Sequence, residues 1–262
     1  MASSPYVLRV CRFHLGFLLV PFAIAVALLV NAPCMDAVTK SKVEDRLDNS
    51  AMVMKEAMGI RSGIPQDLLQ KAYCVIVIPS VMKGAFIFGG SYGRGVMSCR
   101  AGNYLKGPWT APTMMALEGG SFGLQLGGQA TDFVLLVMNE RGARTILGAK
   151  AKIGGDITGA AGPVGRSAQA NLDLYLRTSI LTYSRSRGLF GGVSLEGSTL
   201  RPDNKANEGL YGKKVSARSI VLENAVPIPA SAEKLISRLN EYSQKAPEKT
   251  AELPPGSPSP SH

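Results

Sequence analysis

Histidine occurs twice in the 262 residues, at His14 and at the last position, His262. The first lies in an apolar N-terminal stretch and the second in a Pro/Ser-rich tail. The interior therefore offers no imidazole for a Ser-His-Asp or Cys-His relay, and no His-ligated metal site. Ser, Tyr, Lys, Asp and Glu remain as acid–base groups, but no paired carboxylates and no activated nucleophile stand at a recognisable spacing. No enzymatic activity, metal or cofactor is expected.

Two glycine-rich stretches invite a nucleotide-binding reading. GGSYGRG (residues 89–95) lacks the Lys-Ser/Thr pair of a P-loop, and no helix is predicted after it to present its N-terminus to a phosphate. A turn between two strands is the expectation there. Gly154-Gly155-Asp156 and Gly159-Ala160-Ala161-Gly162-Pro163 read as turns as well. Asp203, Asn204, Asn207 and Glu208 carry oxygen ligands, but at a spacing unlike an EF-hand loop, so a capped turn is expected.

Charge carries more information. There are 29 Lys and Arg against 19 Asp and Glu, a net charge of +10. No acid occurs between Asp67 and Glu118, a segment that holds Lys71, Lys83, Arg94, Arg100 and Lys106. Further basic groups are Arg141, Arg144, Lys150 and Lys152, then Arg166, Arg177, Arg185 and Arg187. Such a field attracts any polyanion, and near an anionic membrane each Lys or Arg contributes roughly 1 kcal/mol. Nucleic acid is the weaker fit, because aromatic residues for base stacking make up only 6% of the chain.

The N-terminus reads as an export signal covering residues 1–37. Arg9 and Arg12 precede an uncharged run of 16 residues, 15–30, interrupted by Pro21. Roughly 18 to 20 apolar residues are needed to span a bilayer, so a cleaved signal is favoured over an anchor. Cys34 offers a site for lipidation, which Pro33 and Asn31 fit poorly. Export to the periplasm or the exterior is the expectation. Cys74 and Cys99 then remain in the domain, either as one disulfide in an oxidising compartment or as two buried thiols inside apolar strands. No Cys-x-x-Cys spacing suggests redox catalysis.

Residues 39–58 carry an apolar stripe at helical spacing, Val43, Leu47, Ala51, Met54 and Met58, ending at Gly59. The charges on the polar face cancel, which suits packing onto a core rather than lying on a membrane. A short helix with Pro65 in its first turn follows. Tyr73–Ile78, ended by Pro79, then Ala85–Phe88, Asp132–Met138 and the alternating Leu172, Leu174 and Leu176 are expected strands, with a short helix at 140–147. Glycines crowd this central part, as a strongly curved sheet with close backbone approaches requires. A last helix is expected at 232–244, capped by Ser231 and burying Leu235, Ile236, Leu239 and Tyr242. Residues 246–262, ending PPGSPSPSH, have the composition of a disordered tail. The fold class is α+β: one domain, 38–245, with a strand-rich, strongly curved antiparallel sheet or barrel-like core and flanking N- and C-terminal helices.

Five segments stand in consecutive order: IPSVMKGAFIFGGSYGRGVM (78–97), GPWTAPTMMALEGGSFGLQLGGQATDFVLLVMNERG (107–142), AAGPVGR (160–166), YSRSRGLFGGVSLEGSTLRPD (183–203) and NEGLYG (207–212). Together they resemble the SYLF domain family, over about residues 40–225. The resemblance implies a non-enzymatic module that binds membrane lipids, with phosphoinositides favoured by eukaryotic members. Some of those members also bind actin and carry additional interaction domains. In them a helix before the core contributes to membrane contact, and the matching segment here is 39–58. No catalytic residues are implied.

Lys83, Arg94, Arg166, Arg185 and Arg187 lie within the family-like segments and are the candidate ligands for anionic head groups. The expected partners are anionic membrane lipids, with an envelope protein docked by the same domain as the alternative. Actin is not an expected partner of an exported chain.

Overall fold

The computed structural model describes residues 41–59, 63–86, 88–102, 107–121, 130–164, 172–186 and 189–243. The expected export signal, Cys34 and the Pro/Ser-rich tail lie outside the described residues. The chain divides into two compact units, Met1–Lys42 and Val43–His262. Apart from the first two residues of the opening helix, every element named below belongs to the second.

In chain order these are α1 (41–59), α2 (Gln66–Lys71), β1 (Cys74–Phe86), β2 (Phe88–Cys99), β3 (Thr113–Ser121), β4 (Ala130–Val137) and α3 (Glu140–Gly148). Then come β5 (Ala151–Lys152), β6 (Gly159–Ala161), α4 (Leu172–Arg177), β7 (Ile180–Ser186), β8 (Leu189–Gly192) and β9 (Thr199–Pro202). The last are α5 (Asn204–Tyr211), α6 (Ala217–Val221), a 3-10 turn (Ala230–Ala232) and α7 (Glu233–Ser243). The nine strands form one strongly curled sheet in the order β5-β9-β3-β2-β1-β4-β7-β6, with β8 added to β7. Every pairing is antiparallel except β6 with β7.

Both faces of the sheet are covered, which is why the central strands read as unbroken apolar runs rather than alternating ones. Val75 and Val77 of β1 join Val134 and Leu136 of β4 in a core shared with α1, α2 and α7. Cys74, Ile76 and Ile78 join Phe133, Leu135 and Val137 in a second core on the opposite face, under α3 and α6. The α1 stripe is spent in the first core: Val43, Leu47, Ala51 and Met54 are buried and Met58 packs half-buried against it, joined by buried Val53 and Ala57. Each fully buried aliphatic side chain of this kind stabilises the fold by about 1.5–3 kcal/mol.

Among the segments that differ from the sequence reading, four have a clear local reason, while the capped turn expected at Asp203–Glu208 is a helix and Ser231 lies in a 3-10 turn rather than capping the last helix. Pro79 does not end β1. The ladder is irregular between Ile78 and Val81, and Ser80 there has φ 50°, with its N–H donated to Asp132 Oδ1 at 2.8 Å. A bulge needs no ladder donor at the proline, so the strand continues through it. GGSYGRG lies within β2 rather than in a turn. Its glycines supply the close approach expected of the central glycines: a Cβ at Gly95 would fall 2.0 Å from the Val77 carbonyl, and one at Gly93 would fall 2.5 Å from the Val81 side chain. Gly159–Ala161 is strand β6, held by parallel pairing with β7. Leu172, Leu174 and Leu176 sit in the six-residue helix α4, a length at which alternation does not separate helix from strand.

Cys74 and Cys99 are directly paired across β1 and β2, both fully buried, and are joined by a disulfide. Among the described residues, no helix is long and apolar enough to cross a membrane.

Candidate functional site

Residues directly paired across a sheet project to the same face. One such row crosses five strands: Lys152 opposes Thr199, Thr199 opposes Glu118, Glu118 opposes Tyr92, and Tyr92 opposes Met82. The next row on that face is Arg201, Ala116 and Arg94. Two residues further along the same strands, Val96 and Met114 enter the core beneath α1. The helix thus covers one part of this face and leaves the rest open. Met82 is 68% exposed and Tyr92 43%.

The charges on this open part are only partly cancelled. Arg201 donates from Nε and Nη2 to Glu118 Oε1, at 2.8 and 2.6 Å. These hydrogen bonds hold the Glu118 carboxyl below its ordinary pKa, with Arg201's charge and that of Lys150 acting in the same direction. Arg94 donates from Nε to the Tyr92 hydroxyl at 2.6 Å and lies 3.8 Å from Asp203 Oδ2. Asp203 is anchored twice over. Its Oδ1 caps α5 by accepting the Ala206 N–H, and its Oδ2 accepts from Arg46 of α1 at 3.3 Å. Arg46 is buried, which lowers its pKa against the opposing pull of Asp203. The Lys152 N–H goes to Asp156 at 2.8 Å. Arg46, Arg94, Lys150 and Arg201 therefore meet Glu118 and Asp203, an excess of two positive charges.

The structure treats the five sequence candidates differently. Arg94 stands on this open surface with its side chain 54% exposed. Lys83 belongs to the same hairpin by register, opposite Ser91. Arg185 lies on the same sheet face but is claimed by two carboxylates, Glu56 of α1 and Asp132 beside it in the ladder, so it holds the helix to the sheet. Arg166 and Arg187 lie outside the described residues. Arg201, Lys150 and Lys152 were not singled out as ligands. Only the β3–β9 and β5–β9 registers bring them next to Arg94.

A second concave feature runs between α1 and α7. It is a groove of about 540 Å³ lined by Asp48, Met52, Lys55, Lys234 and Arg238. Met52 is 58% exposed there, and Lys234 donates to Asp48 at 3.0 Å. Among the described residues, no cluster of three or more His, Cys, Asp or Glu side chains is arranged to hold a metal ion.

The fold is a strongly curled sheet flanked by helices at both ends. Residues 118–242 match a family model described as Ysc84: Las17-binding protein actin regulator. SH3 domain-containing YSC84-like protein 1 of Rattus norvegicus is 32% identical over 212 residues, covering 78% of this chain and 61% of the relative. Protein YSC84 of Saccharomyces cerevisiae is 31% identical over 201 residues, covering 76% of this chain and 42% of the relative. LAS seventeen-binding protein 3 of the same yeast is 33% identical over 178 residues, 67% of this chain and 38% of the relative. The chain belongs to the Ysc84 (SYLF) domain family. It spans 61% or less of the length of these three relatives.

Proposed function

We propose that this chain is a non-enzymatic lipid-binding protein of the cell envelope, exported, that engages anionic head groups through the open part of the α1-side sheet face. One observation carries the reading: a positive excess around Arg94, Arg201, Lys150 and Lys152 adjoins exposed Met82 and Tyr92 on one surface. The guanidinium forks suit phosphate oxygens, and apolar side chains beside them suit the region just below a head group. A buried disulfide in the hairpin fits folding in an oxidising compartment.

The test is co-sedimentation of residues 38–262 with zwitterionic and with anionic vesicles across a salt series. Binding should require anionic lipid and fade with salt, as an 8–10 Å screening length dictates near physiological ionic strength. Reversing three charges together (Arg94→Glu, Lys150→Glu, Lys152→Glu) should abolish it, since each cation is worth roughly 1 kcal/mol at such a surface. Unchanged binding by that variant would sink the site.

A second reading is a protein-interaction module. It is favoured by the matched family model, whose description names Las17 binding and actin regulation, and by the α1–α7 groove with its exposed Met52. Pelleting with actin filaments, lost on Met52→Glu and indifferent to the three charge reversals, would support it over the first.

A further inference from the structure

The connection between β2 and β3 and the segment between α6 and the 3-10 turn form the walls of a groove of about 440 Å³. Pro108 and Trp109 stand on one side, and Asn224, Pro227 and Ile228 on the other. Every lining residue lies among the described residues. Ile228 is 40% exposed there, an unusual place for a large aliphatic side chain with nothing against it.

Arg100 adds an unanswered charge. Its neighbour Ala101 and its stacking partner Trp109 both line the groove, and its guanidinium lies 4.5 Å from the centre of that ring. Nη1 donates to the Gly107 carbonyl at 3.2 Å, but Nε is buried without an acceptor. Burial lowers the pKa of this arginine, and no carboxylate among the described residues opposes the effect. A half-buried cation ordinarily has a counter-charge. Residues 103–106, which complete the β2–β3 connection, contain no acid.

The chain's own end is the nearest source. Helix α7 stops at Ser243, whose Oγ accepts the Trp109 indole N–H at 3.0 Å. Ile228 also borders a hollow against Ile236 and Asn240 of that helix. The described chain thus ends on the groove's own tryptophan, and residues 244–262 follow, with Glu248, Glu252 and five prolines.

We infer that the C-terminal segment docks on its own domain, with Glu252 paired to Arg100 and Leu253, Pro254 and Pro255 in the groove against Pro227 and Ile228. Nine residues lead from Ser243 to Glu252, a reach of up to about 30 Å, ample to cross the Trp109 ring. A proline-rich chain is already extended without internal hydrogen bonds, and apolar, aromatic-lined grooves receive such segments. The tether presents the segment at an effective concentration of about millimolar, so a micromolar contact is saturated within one chain.

The experiment uses the full chain and a fluorescein-labelled peptide of residues 246–262. A tail variant, Glu252→Lys with Leu253→Ser, Pro254→Ser and Pro255→Ser, frees the groove by changes outside the packed elements. By fluorescence anisotropy it should bind the peptide with micromolar affinity, and the wild-type chain at least tenfold more weakly. Trp109 is the only tryptophan, so its indole N–H gives a single nitrogen–proton correlation by NMR. That signal should differ between the two chains and return to its wild-type position as unlabelled peptide is added to the variant. Adding Ile228→Asp to the tail variant should abolish binding, and a peptide carrying Glu252→Gln should bind about tenfold more weakly. Peptide bound by neither chain, or equally by both, would overturn the inference. So would an indole signal identical in the two chains, or binding that survives Ile228→Asp. A wild-type dimer in sedimentation velocity that dissociates in the tail variant would seat the segment on a second copy and overturn docking within one chain.

Discussion

Arg94 and Arg185 project from the same face of one sheet, near opposite ends of the helix that crosses it. Around Arg185 the count is closed: Glu56 from the helix and Asp132 from the next strand take up its charge, and its side chain is 24% exposed. Around Arg94 the count stays open, because Asp203 is already engaged by Arg46 and the remaining cations outnumber the acids. Residue type is identical in the two places, and the counter-charges alone decide which arginine docks a helix and which can meet a ligand.

The comparison breaks most visibly at Asp203. Asp203→Ala would leave Arg46 buried without a carboxylate, at a cost of roughly 3–5 kcal/mol, and would remove the cap of α5. Glu56→Gln, at a half-exposed pair, should cost less than about 1 kcal/mol. Urea unfolding of the two variants checks this, and equal losses would erase the distinction. A second experiment converts one region into the other. Glu56→Gln with Asp132→Asn frees Arg185 and should raise affinity for anionic vesicles roughly tenfold, read by co-sedimentation. Single neutralisations sharpen the contrast further. Arg94→Gln should weaken that binding about fivefold, whereas Arg185→Gln should leave it unchanged within about twofold.

The smallest effect belongs to pH. Glu118 has a folded pKa below its unfolded value of about 4.3. Its contribution to stability is therefore complete above that value and is lost as pH falls through the lower folded pKa. Glu118→Gln should lower stability at neutral pH, where that contribution is complete, and converge with wild type as pH falls through the acidic window, as thermal melts across an acid series would record.

Much of the scaffold was readable because burial writes a period into the chain. The α1 stripe, the unbroken runs of β1 and β4 and the helix after Asn139 all follow from one or two buried faces. Asn139 even announces its role, since its side chain accepts the Gly142 N–H and caps α3. The site was less readable, because its electrostatics depend on partners remote in sequence. Arg46 and Asp203 are separated by 157 positions, and nothing local marks them as a pair. Arg201 neighbours Arg94 only through the register of two ladders that both pass Ala116. The run without acids between Asp67 and Glu118 marks a positive stretch of sequence, but it could not tell which arginines elsewhere would be neutralised. The glycines of β2 misled for a different reason: they resemble turn chemistry until the bulged strand beside them is known to occupy the space a Cβ would need.

The Cys74–Cys99 bridge joins the first residue of β1 to the last residue of β2, with 25 positions between its ends. The hairpin is therefore a closed covalent ring at the centre of the sheet, with β3 and β4 paired along its two outer edges. Tension applied along the polypeptide passes through the sulfur bridge and bypasses the ring, so the hairpin stays unstretched while neighbouring strands carry load. A single protease nick inside the ring leaves both halves tethered, and the cut shows on a gel only after reduction.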